Sequence, residues 1–259
     1  GYGIHGNEPS GSEAALLTAY TLIASKNKKI NRLTTNSVVF IDPTLNPDGR
    51  DRHSQWANQY KSINLVADSN DAEHNESWPR GRTNHYWFDL NRDWLLAIHP
   101  ESRGKLNWLH EWYPNVVLDV HEMGTNSNYF FDPMKSSASV KPLIPQENVD
   151  LYPIFAEYYV KYMDSIGSFY YSKESFDETY PGYGSTYSDL QGGLALLFEQ
   201  ASSRGHVQET NYGEMTFGFT IRNQFLNGIA TVEAAVDNKM LLRDCLLYTS
   251  PSPRDDPLS

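Results

Sequence analysis

The sequence predicts an α/β sandwich, and three observations support that fold class. Short apolar runs rich in β-branched residues, typical of buried strands, occur at 37–42 (SVVFID) and 116–120 (VVLDV). Two further apolar runs, at 129–131 (YFF) and 194–199 (LALLFE), are also candidate strands. Helical patterns separate these runs, and an alternation of strands with helices indicates a sheet covered by helices.

Four segments carry those helical patterns. Residues 11–25 follow a Ser/Gly-rich cap region and repeat apolar side chains at helical spacing. Residues 100–112 open with Pro100, a residue favoured in the first turn of a helix. Longer patterns cover 147–167 and 217–242, so helices make up much of the predicted chain.

Three segments lack such periodicity. Residues 43–94 are rich in Asn, Asp, Arg and Gly, and an irregular stretch of that length in a compact domain is usually functional. Residues 170–192 are rich in Tyr, Gly and Ser, and we expect a flexible flap there. Residues 246–259 carry three prolines and little core material, so we expect a disordered or non-native tail after one domain at 1–245.

Composition excludes several classes of function. The 259 residues include 21 Lys and Arg against 32 Asp and Glu, and the net charge of −11 disfavours binding to a nucleic-acid backbone. No apolar run approaches the length of about 18 residues that a membrane span needs. The one cysteine, Cys245, excludes an internal disulfide and a thiolate metal site, so any metal must use His, Asp and Glu.

Three residues fit a zinc site with an open position. His5 and Glu8 lie in a Gly-rich turn, between the strand-like stretch GYGI and the helix that begins near Gly11. His121 ends the apolar run VVLDVH, at the edge where open α/β sheets place their sites. Hydrolytic zinc sites use three such protein ligands. Alone, an HxxE pair occurs by chance, and a histidine at a strand end is also commonly bonded to backbone.

Two further motifs carry polar groups in apolar surroundings. Asn91 and Arg92 lie inside FDLNRDW, and such a pair can hold a carboxylate by charge-assisted hydrogen bonds. A salt-bridged surface loop is the other interpretation of that pair. Glu199 ends the fully apolar run LALLFE, where a carboxylate is costly unless it is used or paired. A glutamate that simply emerges into solvent remains an alternative.

Five motifs follow one another along the chain: His5-x-x-Glu8, NPDG at 46–49, Asn91-Arg92, His121 and Glu199. Their identity and order resemble those of the zinc metallocarboxypeptidase family of carboxypeptidase A. The resemblance covers nearly the whole chain. It implies a three-layer α/β/α sandwich around a mixed, mostly parallel twisted sheet. Strands and a helix precede the first ligand in that family, so we expect a sheet that is incomplete at the N-terminus.

The resemblance also implies roles for individual residues. His5, Glu8 and His121 correspond to the ligands of one Zn²⁺ ion, with Asp89 orienting the first histidine. Glu199 corresponds to the general base, which takes a proton from zinc-activated water and returns it to the leaving amine.

The substrate-binding residues follow in the same way. Asn91 and Arg92 correspond to the pair that holds the C-terminal carboxylate of the substrate. Arg82, nine residues before Asn91, is the candidate for stabilising the oxyanion, with Arg52 next and Arg50 and Arg80 as rivals.

A mobile tyrosine closes over the substrate in that family. Tyr180 has the most suitable spacing to Asp189, and Tyr183 and Tyr187 remain alternatives. Two positions depart from the digestive members: Asn7 stands where they carry Arg, and Glu122-Met123 where they carry Ser-Tyr. These departures leave the preference for residues upstream of the scissile bond open.

The sequence therefore predicts a zinc metallocarboxypeptidase that acts on the C-terminus of a peptide or protein. The alternative is a zinc-dependent deacylase of small N-acyl amino acids, which shares the same motifs, and a non-catalytic reader on the same fold is a third interpretation. The stretch WPRGRTNHYWFDLNRDW resembles a bacterial branch that is often exported, which suggests a secreted or periplasmic location.

Overall fold

The computed structural model describes residues 1–135 and 143–243, so the predicted tail at 246–259 and Cys245 lie outside the described residues. The helices are α1 (Pro9–Ala24), α2 (Lys28–Asn36), α3 (Pro47–Tyr60), α4 (Pro100–Trp112), α5 (Gln146–Ile166), α6 (Gly184–Tyr187) and α7 (Phe217–Asp237). The strands are β1 (Val116–Met123), β2 (Tyr129–Phe131), β3 (Leu194–Ala201), β4 (Val207–Thr210) and β5 (Gly213–Thr216). Three of the four predicted strands and all four predicted helices are therefore present.

The central sheet is mixed, with strand order β1-β3-β2. β1 runs parallel to β3, and the short β2 runs antiparallel to it. A single parallel bridge joins Tyr2 to Val120 and brings the N-terminal stretch alongside β1. β4 and β5 form a separate antiparallel hairpin. This arrangement brings the N-terminal turn and the ends of β1 and β3 to one edge of the sheet.

Both faces of β3 are buried, which explains its continuous apolar sequence. Leu194, Leu196 and Phe198 point to one face and join the largest hydrophobic cluster. The alternate residues Leu197 and Glu199 point to the opposite face, because side chains alternate along a strand.

Helices cover the two faces of the sheet and form the outer layers. α1, α5 and α7 pack together on one side and against the strands. On the other side, Leu106 and Leu109 of α4 pack with Ile4, Leu90 and Trp94. The three-layer α/β/α sandwich predicted from the sequence is confirmed.

The predicted strand at 37–42 is wrong, because those residues form neither strand nor helix. Their backbone meets the sheet only at the end of the run, where the Tyr2 N–H donates to the Asp42 carbonyl at 3.0 Å. Phe40 packs against Trp108 of α4 instead, with ring centroids 4.8 Å apart. Among the described residues no strand lies beside this run, and a strand without a neighbour has no ladder.

The irregular region predicted at 43–94 contains a helix, α3. Its buried residues are Gly49, His53 and Ala57, which lie four apart and form one narrow stripe of mostly small side chains. Such a stripe carries almost no hydrophobic periodicity, so the sequence pattern did not reveal the helix. In the part of the chain that the structure describes, no helix is both long and apolar enough to cross a membrane.

Candidate metal centre

Three buried side chains converge at the edge of the sheet. His5 and Glu8 lie in the turn before α1, and His121 lies on β1. Their possible ligand atoms all lie within 4.8 Å of one another, and among the described residues no other His, Cys, Asp and Glu group meets that condition. The structure thus brings together the three residues that the sequence predicted as metal ligands.

The carboxylate of Glu8 lies between the two imidazoles. Its Oε1 is 2.8 Å from His5 Nδ1, and its Oε2 is 2.9 Å from His121 Nδ1. The two Nδ1 atoms are 3.2 Å apart. Both histidines therefore present the same ring nitrogen to one point.

The other ring nitrogen of each histidine is held by a carboxylate. His5 Nε2 is 2.9 Å from Asp89 Oδ1, the contact expected from the sequence. His121 Nε2 is 3.0 Å from Asp119 Oδ2, a contact that the sequence did not suggest. Such carboxylate–histidine pairs fix the tautomer and the ring orientation of metal-binding histidines. Two Nδ1 atoms and a carboxylate at one point are a donor set that suits zinc.

Opposite charges alternate through this centre. Burial opposes the charged form of His121, yet the carboxylates of Asp119 and Glu8 outweigh it and raise the pKa of His121 well above its usual value. Burial likewise opposes ionisation of Glu8, but His5 and His121 hold its pKa well below the usual range. A cation bound here would replace the protons on the two imidazoles.

Asn46 of the NPDG motif fixes the turn that carries His5 and Glu8. Its side-chain amide donates to the carbonyls of Ile4 and Arg82, each at 3.2 Å. Its carbonyl oxygen accepts from the Gly49 N–H at 3.0 Å and so caps α3. One buried amide thus joins three segments around the centre.

Arg82 is the candidate arginine that contacts this centre. Its guanidinium lies 2.9 Å from Asp89 Oδ2 and 3.6 Å from Glu8 Oε1. Arg50 instead pairs with Glu13, and Arg52 donates to backbone carbonyls of the loop before Asp89.

The members of the Asn91–Arg92 pair occupy different environments. The Asn91 amide nitrogen is 2.9 Å from His121 Nε2, and its oxygen accepts from Trp94 Nε1 at 3.0 Å and the Gly184 N–H at 2.9 Å. Asn91 is therefore engaged by the protein on both sides. The Arg92 side chain is 47% exposed, and it is the member of the pair that presents charge to solvent.

The three candidate tyrosines lie in different environments. Tyr180 is exposed, and its hydroxyl donates to the Arg92 carbonyl at 3.1 Å. The Tyr183 ring lies under the Arg92 guanidinium, 4.6 Å from its centroid. Tyr187 is buried in the core, and its hydroxyl lies 2.9 Å from His110 Nε2.

Glu199 lies beside the metal centre on the neighbouring strand. It is the register partner of His121 in the parallel β1–β3 pair. Its carboxylate accepts no hydrogen bond from the described residues. Burial raises the pKa of this half-buried side chain to about 8, with Glu8 and Asp119 adding to the rise and His121 opposing it.

Of the residues that depart from the digestive members, Asn7 and Glu122 are buried and Met123 is half-buried. Glu122 accepts from the Ser10 N–H at 2.8 Å and from the Ser202 hydroxyl, so it ties the start of α1 to the chain after β3. Asn7 donates to Glu76 at 2.9 Å. Asn7 and Glu122 therefore both form hydrogen bonds inside the protein.

Sequence reasoning missed Asp119 and Glu76. A signal for Asp119 was available: it stands in an otherwise apolar strand two residues before His121, and strand periodicity puts both on one face. Glu76 lies in a loop with no pattern, and its contacts are evident only in three dimensions.

Comparison with known proteins by sequence identifies carboxypeptidases. The profile of the zinc carboxypeptidase family matches residues 2–225. The carboxypeptidase N catalytic chain of Homo sapiens is 25% identical over 144 residues, covering 50% of this chain and 31% of the relative. The corresponding chain of Mus musculus matches to the same extent. This chain thus spans about a third of the length of the curated relatives it matches.

Solved structures share the fold. A metallo-carboxypeptidase from Burkholderia cenocepacia superimposes with a TM-score of 0.64 at 16% identity, over 91% of this chain and 56% of its own. A metallo-carboxypeptidase from Pseudomonas aeruginosa, in complex with (2-guanidinoethylmercapto)succinic acid, gives 0.59 at 15% identity, over 90% and 54%. The carboxypeptidase fold inferred from the motifs is therefore confirmed.

Proposed function

Because this chain belongs to the zinc carboxypeptidase family, we propose that it hydrolyses the C-terminal peptide bond of a peptide or protein with one zinc ion. One observation carries the proposal: His5, Glu8 and His121 converge beside the carboxylate of Glu199. A reader that only binds peptides would need no general base at that place.

His5 Nδ1, His121 Nδ1 and the Glu8 carboxylate would hold the zinc ion. When bound, the ion supplies Lewis-acid chemistry: it polarises the scissile carbonyl and makes water a better nucleophile at neutral pH. Asp89 and Asp119 contribute by holding the outer ring nitrogens, so that both inner nitrogens stay available as donors.

Glu199 is the general base of the proposed reaction. Its carboxylate takes one proton from the attacking water as the oxygen bonds to the scissile carbonyl carbon. The same carboxyl then gives that proton to the amine nitrogen as the C–N bond breaks. Burial raises the pKa of Glu199 to about 8 in the metal-free protein, and a zinc ion at the three ligands would lower it, because a nearby cation favours the charged carboxylate.

Four further residues position the substrate. In the proposed reaction Arg82 stabilises the oxyanion that forms from the carbonyl oxygen, and its contacts with Asp89 and Glu8 support this role. Arg92 binds the terminal carboxylate by charge-assisted hydrogen bonds, with Asn91 beside it. Tyr180 closes over the bound residue. The succinic acid derivative bound by the P. aeruginosa relative supports a site that accepts carboxylates.

The test is release of C-terminal amino acids from a mixed peptide library, compared with C-terminally amidated copies of the same peptides. We expect release from the free acids alone, dependent on zinc. Glu199→Gln is the control, and it should lower kcat by about 10³-fold while zinc stays bound.

Two results would overturn the proposal. Equal release from amidated peptides would show that no terminal carboxylate is read. No release from any peptide, together with hydrolysis of N-acetyl-aspartate or N-succinyl-glutamate, would identify the small-substrate deacylase instead.

A further inference from the structure

One carboxylate outside the predicted site joins two of its parts. Glu76 lies in an irregular loop, and its side chain is only 10% exposed. Its Oε2 accepts from the Asn7 amide at 2.9 Å, and its Oε1 accepts from the Gly81 N–H at 3.0 Å. His53 Nδ1 of α3 lies 3.2 Å from the same Oε1. The side chain is thus engaged from three directions.

The positions of these partners matter. Asn7 lies between His5 and Glu8, in the turn that presents two of the three metal ligands. Gly81 directly precedes Arg82, the arginine that contacts Glu8. Glu76 therefore bonds both the ligand turn and the backbone next to the candidate oxyanion arginine.

The backbones around these bonds are in close contact. A Cβ atom at Gly81 would lie 2.6 Å from the Gly49 carbonyl oxygen and 3.0 Å from Asn7 Cβ. Gly49 in turn lies in the first turn of α3, where its N–H donates to the side chain of the capping Asn46. Segments packed this tightly have no free space to slide, so a displaced Asn7 or Gly81 moves its neighbours with it.

We propose that Glu76 is a positioning residue that holds the ligand turn and the Arg82 segment in one fixed relation. It touches neither ligand nor arginine and acts through Asn7 and Gly81. Outer partners of metal ligands typically change metal affinity or activity by 10–100-fold, and we expect about tenfold for a partner one contact further out. The effect on catalysis rests on the proposed function, whereas the effect on metal affinity does not.

The test exchanges the donor and the acceptor of the Asn7–Glu76 contact. Asn7→Asp places two carboxylates against each other and should weaken zinc binding and lower kcat about tenfold. Glu76→Gln alone should have a small effect, because the Asn7 amide can turn its oxygen toward the new donor. The double variant should bind zinc as the wild type does, since its new amide at position 76 can donate to the new carboxylate at position 7 and still accept from Gly81.

Zinc affinity is measured by competition with a chelating dye, at a temperature well below the melting temperature of every variant. Electrostatics alone would make Asn7→Asp a tighter zinc binder, because it adds a negative charge near the site. A loss therefore reports displaced ligands. Glu73→Gln is the matched control: it alters a buried carboxylate of the same segment that contacts His206 rather than Asn7. We expect it to leave zinc affinity unchanged.

The outcomes separate the two proposals. Glu76 is not a positioning residue if Asn7→Asp binds zinc within twofold of the wild type, or if the double variant fails to recover. Should Asn7→Asp not fold, the pair Asn7→Ala and Glu76→Ala takes its place. Each should weaken zinc binding about tenfold, and the combination should be no weaker; additive losses would overturn the proposal. A wild type that hydrolyses no peptide would refute the proposed function alone.

Discussion

Two groups of buried ionisable side chains lie along the same sheet, and they solve the problem of burial differently. The ligand cluster mixes acids with imidazoles and comprises His5, Glu8, Asp89, Asp119 and His121. The carboxyl cluster holds acids alone and comprises Asp132, Glu178 and Asp189, each almost fully buried. Water is largely excluded from both groups, so the difference between them lies in the partners.

In the ligand cluster every acid faces a base. Glu8 meets two imidazoles, and Asp119 meets His121 Nε2 at 3.0 Å. Burial alone would raise the pKa of Asp119, but His121 lowers it below the usual value. The carboxylates therefore remain charged inside the protein.

In the carboxyl cluster two of the acids share one hydroxyl group. The Tyr152 hydroxyl lies 2.7 Å from Glu178 Oε2 and 2.7 Å from Asp189 Oδ2. A hydroxyl has one hydrogen, so one of these contacts needs a proton on a carboxyl group. Burial raises the pKa of Asp189 to about 7, and burial with Asp189 raises that of Asp132 to about 8.

The comparison shows that the partners of a buried carboxyl group, and not its burial alone, decide whether it is charged. A buried carboxylate beside an imidazole keeps its charge and can receive a metal ion in place of the imidazole proton. A buried carboxylate beside other carboxylates takes up a proton and stabilises the fold in a neutral form. Four substitutions test this difference, in order of expected effect.

Glu8→Gln should have the largest effect. The change keeps the shape of the side chain but removes the negative charge between the two imidazoles. We expect zinc binding to fall below detection in a calorimetric titration, with the far-ultraviolet spectrum retained. Stoichiometric zinc in this variant would show that Glu8 is not a ligand.

Asp119→Asn should have the next largest effect. His121 would lose the charged partner that holds its outer nitrogen, and zinc affinity should fall about 10–100-fold. Asp89→Asn is the matched variant on His5 and should behave alike. A large loss at Asp89 with none at Asp119 would contradict an equivalent role for the two carboxylates.

Asp132→Asn should change stability and leave zinc affinity unchanged. Folded wild type keeps a proton on Asp132 up to about pH 8, whereas an unfolded chain releases it near the ordinary aspartate pKa of 3.8. The wild type therefore loses stability as pH rises from the unfolded pKa through the folded pKa of about 8. The variant has no such loss, so relative to wild type it should gain roughly 4 kcal/mol between about pH 5 and about pH 9.

Urea unfolding at a series of pH values measures this effect. Asp51→Asn, which alters an exposed carboxylate, is the control and should follow the wild-type curve. Parallel curves for Asp132→Asn and wild type would mean that Asp132 is not protonated in the folded protein.

Tyr152→Phe should have the smallest effect. It removes the hydroxyl between Glu178 and Asp189, and the lost hydrogen bond should lower the free energy of unfolding by about 1 kcal/mol at about pH 6. Zinc affinity should be unchanged. A stabilised variant would indicate that the two carboxyl groups bond directly once the ring oxygen is gone.

The sequence predicted elements best where burial alone determines them. β1 and β3 are apolar because both of their faces are covered, and that pattern is readable without a fold. The run at 37–42 is similarly apolar, yet Val38 is 76% exposed and no described strand pairs with it. Composition indicates a preference for extended backbone, whereas a strand also needs a partner that the local sequence does not specify.

Helix α3 shows the opposite case. Its start carries a clear signal, since Asn46 caps the helix and Pro47 occupies the first turn. The helix was missed because its buried stripe of Gly49, His53 and Ala57 is not hydrophobic. Capping residues and hydrophobic periodicity are separate sources of information about a helix, and α3 carries only the capping signal at its start.

The residues of the candidate site were predictable where the local sequence alone marks them. Residues at strand ends and in the HxxE turn stand out because polar groups are unusual in such places. The contacts of Asp119 and Glu76 depend on distances between segments remote in sequence. Tyr187 illustrates the same limit, since it was an alternative candidate in a Tyr-rich segment and packing puts it in the core.

The register between β1 and β3 has a consequence for how this scaffold can change. His121 and Glu199 are partners across one pair of hydrogen-bonded parallel strands, so backbone geometry sets the distance between their Cα atoms. The surrounding loops play no part in that distance. The loop around Tyr180 can therefore change between relatives without altering that Cα distance, whereas the segment 76–89 also holds His5 and Arg82 and is not free to change. A protein engineer who wants to change substrate preference should therefore keep β1 and β3 and vary the loop around Tyr180.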